Sequence, residues 1–282
     1  MLAPLSNLAE EARAAGHGLG AFNVIHLEHA EILVEAAEQA GCPVVLQISE
    51  NAVKFHNSNI EPLALGTIAI AEASPARVCV HLDHAKSTTL IRQAIGLGFN
   101  SVMYDGSHLP DDENRATTRL VSHWCHDAGV SIEAELGEVG GKDGVHAPGV
   151  RTDPADAARF VADTGVDLLA VAVGSSHAMT TRDATLDLAL ISELAEAVPV
   201  PLVLHGSSGV SDQAMVAAIG AGMTKINVST HLNKVYTDAV RATLAADPKV
   251  VDSRKWSAPA ADAMRAEVKR LLLQYRTVAM AA

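Results

Sequence analysis

The stretch VCVHLDHAKSTT, residues 78–89, contains the unit from which the whole fold is predicted. It begins as an apolar run and ends on two polar side chains, Asp83 and His84, just before a helical pattern opens at Ser87. Such a run is typical of a parallel strand that is buried on both faces. A carboxylate beside an imidazole at the strand end has two explanations: a functional site, or a helix cap with a structural hydrogen bond.

The same strand-and-helix unit recurs along the chain. The predicted strands are GAFNV (20–24), PVVLQIS (43–49), VCVHLDH (78–84), SVMYDGS (101–107), SIEAELG (131–137), LLAVAVG (168–174), PLVLHGS (201–207) and KINVST (225–230). Helical segments separate them, such as TLIRQAIGLG (89–98), which ends on glycine, and the helix opened by Asp153 and Pro154. Eight units in about 250 residues predict an α/β fold, the TIM (β/α)8 barrel, because open doubly wound sheets usually have fewer strands. An additional C-terminal helix is predicted over 257–275.

Composition places limits on domain organisation and partners. No linker or charge block divides the 282 residues, so we expect a single barrel domain over 1–282. The formal charge of −12 disfavours nucleic acid and anionic membranes as main partners. The sequence has neither a membrane-spanning apolar run nor a signal-peptide pattern, which predicts a cytoplasmic protein. The separated cysteines Cys42, Cys79 and Cys125 are expected to be reduced core residues.

Polar residues collect at the carboxyl ends of the predicted strands. They are Asn23, Ser49, Asp83, His84, Asp105, Glu133, Glu135, His205 and Asn227, with His177 three residues past the sixth strand. Any one of them could have a structural role. Together they would be difficult to desolvate at one barrel mouth without a ligand or metal, so we expect an active site there.

Three of these residues predict a metal. His84, His177 and His205 stand at separate strand ends, imidazole nitrogens suit zinc, and three protein ligands leave a coordination position for substrate. Asp105 and Glu135 lie on neighbouring strands and could hold a second cation, orient the histidines or have only a structural role.

The last two strand ends predict an anion site. HGSSGV (205–210) and NVSTHL (227–232) each combine a strand end, a turn rich in small or hydroxyl residues, and a helix start. Backbone amides at such turns and helix starts bind phosphate, and the loops after strands seven and eight are the usual phosphate site of this barrel. We therefore expect a phosphorylated small molecule whose other end reaches the metal.

Six ordered motifs at these strand ends carry a resemblance to a known family. They are HLDHA, SVMYDGSHLP, EAELGEVGG, AVAVGSSH, LVLHGSSGV and KINVST. Over residues 1–275 the chain resembles the class II, metal-dependent fructose- and tagatose-bisphosphate aldolases. The resemblance implies reversible cleavage of fructose or tagatose 1,6-bisphosphate to dihydroxyacetone phosphate and glyceraldehyde 3-phosphate. It also implies a homodimer or homotetramer and a role in carbohydrate metabolism such as glycolysis.

The resemblance assigns roles residue by residue. It implies that His84, His177 and His205 hold Zn²⁺, that Asp83 exchanges a proton with the aldehyde oxygen, and that Asp105 and Glu135 match an accessory divalent site; a monovalent cation is a further candidate. The implied substrate contacts are Asn23, Ser49, Ala178, Gly206, Ser207, Ser208, Asn227, Val228, Ser229 and Thr230. A zinc ion would serve as the electron sink for the carbanion formed on cleavage.

The other known sink is a lysine imine, which the placement of the lysines disfavours. None of them stands at the carboxyl end of a predicted strand, and Lys225 opens the predicted eighth strand, so we expect it at the opposite end of the barrel.

The chain departs from the family pattern at two positions. In GGKDGVHAPGVR (140–151) the loop is shorter than usual, and Asp143 stands where the family has the glutamate that handles the dihydroxyacetone proton. Ala178 replaces the usual glycine after the metal histidine. Either change could signal a different sugar phosphate, or a sugar-phosphate-binding homologue with weakened catalysis. A barrel metallohydrolase is a further alternative, although GAFNV lacks the His-x-His pair common on its first strand.

Overall fold

The chain forms a closed barrel of eight parallel strands. The computed structural model describes residues 1–136, 151–176 and 179–277. The strands are β1 (Leu19–Asn23), β2 (Val44–Ser49), β3 (Val78–Ala85), β4 (Ser101–Tyr104), β5 (Ser131–Leu136), β6 (Leu168–Val171), β7 (Leu202–Leu204) and β8 (Met223–Val228). Each pairs with the next in sequence, and β8 closes the ring on β1. The predicted TIM barrel is confirmed.

Helices surround the ring, on its outside and at both of its ends. They are α1 (Leu5–Ala14), α2 (Leu27–Ala40), α3 (Glu50–Phe55), α4 (Glu61–Ala73), α5 (Thr88–Leu97), α6 (Asp111–Asp127), α7 (Pro154–Thr164), α8 (Leu188–Ala197), α9 (Asp212–Gly220), α10 (Thr230–Ala246) and α11 (Ser253–Tyr275). The additional C-terminal helix is α11, which packs on α2 and α10. Among the described residues, no helix combines the length and the hydropathy that a membrane-spanning helix requires.

Local sequence signals set several helix ends. Asp153 caps α7 by accepting a hydrogen bond from the amide of Asp156, and Pro154 occupies the first turn, as predicted. Gly98 ends α5 with a φ of 97°, a conformation that favours glycine. The three cysteines are buried and free, which confirms their prediction as reduced core residues.

The barrel interior changes from apolar to polar along the barrel axis. At the amino ends of the strands, Val45, Met103 and Val203 form an apolar cluster with Leu5 and Leu8 of α1, so α1 packs against this end of the barrel. Toward the carboxyl ends the fully buried interior becomes polar, with Gln47, His81, Glu133 and Lys225. The polar layer lies directly beneath the expected active site.

Lys225 is not where the sequence analysis placed it. Strand β8 begins at Met223 rather than at Lys225, and Lys225 pairs in register with Leu19 and Val203. The prediction that Lys225 lies at the opposite end of the barrel was therefore wrong. Because side chains alternate along a strand, Lys225 shares the interior face with Asn227, two residues further on. Its ammonium group is buried inside the barrel rather than exposed at an end.

Candidate active site

An irregularity in β3 brings two adjacent side chains into the same cavity. The pairing of β3 with β4 shifts register between Leu82 and Ala85, and His84 has a φ of 51°. Successive residues of a regular strand point to opposite faces, whereas here Asp83 and His84 both line the cavity at the barrel mouth. A non-glycine residue in this left-handed conformation costs about 1 to 3 kcal/mol and is typical of functional sites.

The imidazoles of His84 and His205 face each other across the mouth. The Nε2 atom of His84 lies 2.8 Å from Nδ1 of His205. On the far side of each ring is a carboxylate: Asp105 Oδ2 lies 3.2 Å from His84 Nδ1, and Glu133 Oε1 lies 3.0 Å from His205 Nε2. Because a carboxylate accepts a ring N–H, these contacts favour protons on the far nitrogens, although Asn227 Nδ2 also lies 3.3 Å from His205 Nε2. The two facing nitrogens then both present lone pairs, an arrangement that suits a cation.

Asp83 completes this group of potential ligand atoms. One carboxylate oxygen of Asp83 and one nitrogen from each of His84 and His205 lie within 4.8 Å of one another. Asp83 is 3% exposed, and its Oδ1 has no hydrogen-bond partner among the residues that the structure describes. The alternative that Asp83 caps the following helix does not match the structure, because Ser87 caps α5 by accepting a hydrogen bond from Leu90 N at 3.2 Å.

A second group of ligand atoms shares His84. His84, Asp105 and Glu135 each offer one atom, and these atoms also lie within 4.8 Å of one another. Both carboxylates are buried, and Asp105 Oδ1 accepts a hydrogen bond from Ser107 Oγ at 2.7 Å. Imidazole and carboxylate donors of this kind suit a divalent ion such as zinc in chemical type.

Three of the expected residues, Asp143, His177 and Ala178, lie outside the described residues. The third imidazole ligand, the loop acid and the alanine beside the metal histidine therefore stay predictions.

The turns after β7 and β8 line the opposite side of the same cavity. Gly206 has a φ of 67°, and a Cβ atom there would lie 2.6 Å from the backbone carbonyl of Ser176. Only glycine allows the two loops to approach this closely. Ser208 Oγ accepts a hydrogen bond from His231 N at 3.2 Å, which ties the turn after β7 to the start of α10. The first turn of this 17-residue helix therefore stands at the cavity.

The expected substrate contacts divide between two places. Those that line the main cavity are Asn23, Ser49, Gly206, Ser208, Asn227, Ser229 and Thr230. Ser207 and Val228 line a small neighbouring cavity instead, and the Ser207 hydroxyl donates to the backbone carbonyl of Asn227. Any contact of these two residues with substrate would therefore come from the backbone.

The main cavity has a volume of about 530 Å³, which suits a small phosphorylated molecule. Its wall includes residues that were not expected there: Ile25, Gln47, Glu50, Asn51, Ala52, Lys54, Phe55 and Lys86. Lys86 directly follows β3, so the expectation that no lysine stands at the carboxyl end of a strand was wrong. Gln47 could have been found from the sequence, because it is two residues before Ser49 on β2 and shares its face. Gln47 Nε2 donates to Asn23 Oδ1 at 3.3 Å and so links two neighbouring strand ends.

Comparison with known proteins agrees with this geometry. The family model described as "Fructose-bisphosphate aldolase class-II" matches residues 3–278. The chain belongs to the class II fructose-bisphosphate aldolase family. Fructose-bisphosphate aldolase of Staphylococcus aureus is 36% identical over 281 residues, covering 97% of this chain and 98% of the relative. That of Geobacillus stearothermophilus is 37% identical over 271 residues, covering 95% of this chain and 94% of the relative.

A solved structure extends the similarity to three dimensions. The YdjI aldolase from Escherichia coli K12 superposes with a TM-score of 0.84 at 30% identity, covering 98% of this chain and 97% of that one. Class II aldolases are carbon–carbon lyases, which is the enzyme class of this chain. The resemblance inferred from the six sequence motifs is thereby confirmed at the level of the family.

Proposed function

We propose that this class II aldolase uses zinc to cleave fructose 1,6-bisphosphate or tagatose 1,6-bisphosphate reversibly. The products are dihydroxyacetone phosphate and glyceraldehyde 3-phosphate. The observation that carries the proposal is the 2.8 Å approach of His205 Nδ1 to His84 Nε2, beside the buried Oδ1 of Asp83. Family membership supports the reaction class, and the placement of these three groups supports the metal.

The proposed zinc ligands are His84, His205 and the predicted third ligand, His177. When bound, the zinc ion would act as a Lewis acid for the negative charge that develops beside the substrate carbonyl. His84 and His205 come from β3 and from the end of β7, so closure of the barrel brings the ligands together. We propose Asp105 and Glu135 for a second divalent ion, on the basis of their proximity to His84.

Asp83 is proposed as the general acid and base. During cleavage its carboxylate accepts the proton of the C4 hydroxyl while the C3–C4 bond breaks, so C4 becomes the aldehyde carbon and the electron pair stays on C3. In the condensation direction Asp83 returns this proton to the aldehyde oxygen. Asp83 Oδ1 is buried and has no hydrogen-bond partner in the described part of the chain, which supports this role because the oxygen is available to a substrate hydroxyl. The proton at C3 is assigned to Asp143, which stays a prediction.

The turns after β7 and β8 are proposed to hold the phosphate of the dihydroxyacetone half. Gly206 permits close approach of the backbone, and the first turn of α10, whose amides can bind an anion, stands at the cavity with Thr230. Ser208 and Ser229 line the same wall and offer hydroxyl groups. The formal charge of −12 does not oppose this, because local backbone amides rather than net charge bind the anion.

The test is an assay of the purified protein with a panel of ketose bisphosphates, with and without a strong chelator. We expect cleavage of fructose or tagatose 1,6-bisphosphate, loss of activity with the chelator, and recovery on adding zinc. Cleavage that persists after complete metal removal would contradict the proposal. Activity confined to another ketose phosphate would keep the metal mechanism and change the substrate, and binding without turnover would favour the weakened homologue.

Assembly and location also remain proposals. We propose a cytoplasmic homodimer or homotetramer without nucleic-acid or membrane partners. Light scattering on the purified protein measures the oligomeric state.

A further inference from the structure

A buried ion pair lies beneath the proposed zinc site. Lys225 Nζ is 2.8 Å from Glu133 Oε2, and both side chains are fully buried inside the barrel. Moving two charges out of water is costly, and a well-packed apolar pair in their place often leaves a protein equally or more stable. The interior next to this pair does accept apolar or weakly polar residues, such as Cys79 and Met103. Stability alone therefore does not account for the pair.

The second oxygen of the same carboxylate contacts a proposed metal ligand. Glu133 Oε1 lies 3.0 Å from His205 Nε2, while Nδ1 of that ring faces His84. Lys225, Glu133 and His205 thus form a continuous chain from the barrel interior to the mouth. His81 lies beside this chain, with Nε2 at 3.8 Å from Glu133 Oε2. Burial holds the pKa of His81 well below its usual value, so His81 is neutral and Lys225 supplies the positive charge.

We propose that Glu133 and Lys225 are positioning residues for the metal: Glu133 fixes the ring of His205 with Nδ1 toward His84, and Lys225 holds the Glu133 carboxylate in place. This inference rests on the proposed function, because it requires His84 and His205 to bind the ion. Neither residue lines the main cavity, so we expect their replacement to weaken metal binding and to lower turnover only through the loss of metal. Changes to groups that hold metal-ligating histidines typically weaken metal binding about 10- to 100-fold.

The experiment compares two single variants, their double variant, a variant with a shortened carboxylate and a control, all in the full chain. Glu133→Gln and Lys225→Met each remove one charge. The double variant Glu133→Gln/Lys225→Met removes both, so no unpaired charge stays buried. Glu133→Asp keeps the charge pair but shortens the carboxylate and withdraws it from His205. Cys79→Ala is the matched control, since Cys79 is buried in the same interior but is not a candidate ligand.

Zinc dissociation constants are measured by competition with a chromogenic chelator, and Co²⁺ absorption spectra report the ligand geometry. Thermal unfolding of the metal-free proteins measures stability separately. We expect the double variant and Glu133→Asp to bind zinc about 10- to 100-fold more weakly, with altered Co²⁺ spectra. The double variant should unfold near the wild-type temperature, and Cys79→Ala should keep wild-type zinc affinity.

Wild-type zinc affinity and an unchanged Co²⁺ spectrum in the folded double variant or in folded Glu133→Asp would overturn the inference. The ion pair would then have only a structural role. If the double variant does not fold, Glu133→Asp decides, because it retains the charge balance. Failure of the wild-type protein itself to bind zinc would instead contradict the proposed function, so the two failures are distinguishable.

Discussion

His205 Nδ1 and His84 Nε2 lie 2.8 Å apart although their positions in the chain differ by 121. His84 belongs to β3, and His205 directly follows β7; these strands are four positions apart in the ring of eight and therefore stand on opposite sides of the barrel. The two imidazoles meet across the mouth because the sheet closes on itself. The proposed metal site is thus a product of barrel closure, and each ring is held from behind by a carboxylate.

The role of Asp83 predicts a separation of metal binding from turnover. Asp83→Ala should retain zinc, because the imidazoles remain, and should lower kcat by about 10²- to 10⁴-fold through loss of the general acid and base. Zinc content and cleavage rate are measured on the same preparation. Ser87→Ala is the control: loss of the α5 cap should lower the free energy of unfolding by about 1 kcal/mol and leave kcat unchanged. Unchanged turnover in Asp83→Ala would refute the role, and loss of zinc would make Asp83 a ligand instead.

The close approach at Gly206 predicts a defect in substrate binding. In Gly206→Ala the new Cβ would lie 2.6 Å from the Ser176 backbone, so the loop must move and its amides must leave the phosphate position. We expect KM for the bisphosphate to rise about tenfold or more. Gly165→Ala is matched in backbone conformation, with a φ of 69°, but its Cβ would meet no atom within 4 Å. It should lose about 1 to 2 kcal/mol of stability with KM unchanged. Equal KM values in the two variants would argue against the phosphate assignment.

His29 predicts a pH dependence of stability outside the proposed site. Burial, with a smaller contribution from the neighbouring His26, lowers the pKa of His29 from 6.5 to about 4. Because the folded state favours the neutral ring, its contribution to stability is fully present above pH 6.5 and is lost as the pH falls toward 4. The difference between the ordinary pKa of 6.5 and the value of about 4 in the folded protein corresponds to about 3 kcal/mol in the free energy of unfolding.

Urea unfolding between pH 4 and 7.5 measures this effect. The free energy of unfolding of His29→Gln should fall less steeply over this range than that of the wild-type protein. His123→Gln, at an exposed position, should leave the slope unchanged. If the free energy of unfolding changes with pH equally in the wild-type protein and in His29→Gln, the burial of a neutral His29 does not contribute to the pH dependence of stability.

The fold was predictable because the strand pattern depends on burial, which the sequence encodes directly. The runs around Val80 and Val45 are apolar because helices cover one face and the barrel interior covers the other. Strand boundaries were less predictable. The predicted strands 168–174 and 201–207 extend past their observed ends at Val171 and Leu204, because the chain leaves the ladder before the residues that form the mouth.

The same boundary problem explains the error at Lys225. The predicted eighth strand began two residues late, so Lys225 was expected at its end rather than in the barrel interior. The sequence did show that Lys225 and Asn227 alternate on one strand and therefore share a face. The arrangement of Asp83 and His84 had no such signal. Adjacent residues of a regular strand would point apart, and only the register shift of β3 with the φ of 51° at His84 places both in one cavity.

The central claim is that His84 and His205 hold a divalent ion, and diffraction at the zinc absorption edge tests it most directly. Crystals grown with zinc should show an anomalous peak about 2.0 to 2.1 Å from both His84 Nε2 and His205 Nδ1. Two rings in direct contact in zinc-containing crystals, with no anomalous peak between them, would contradict it.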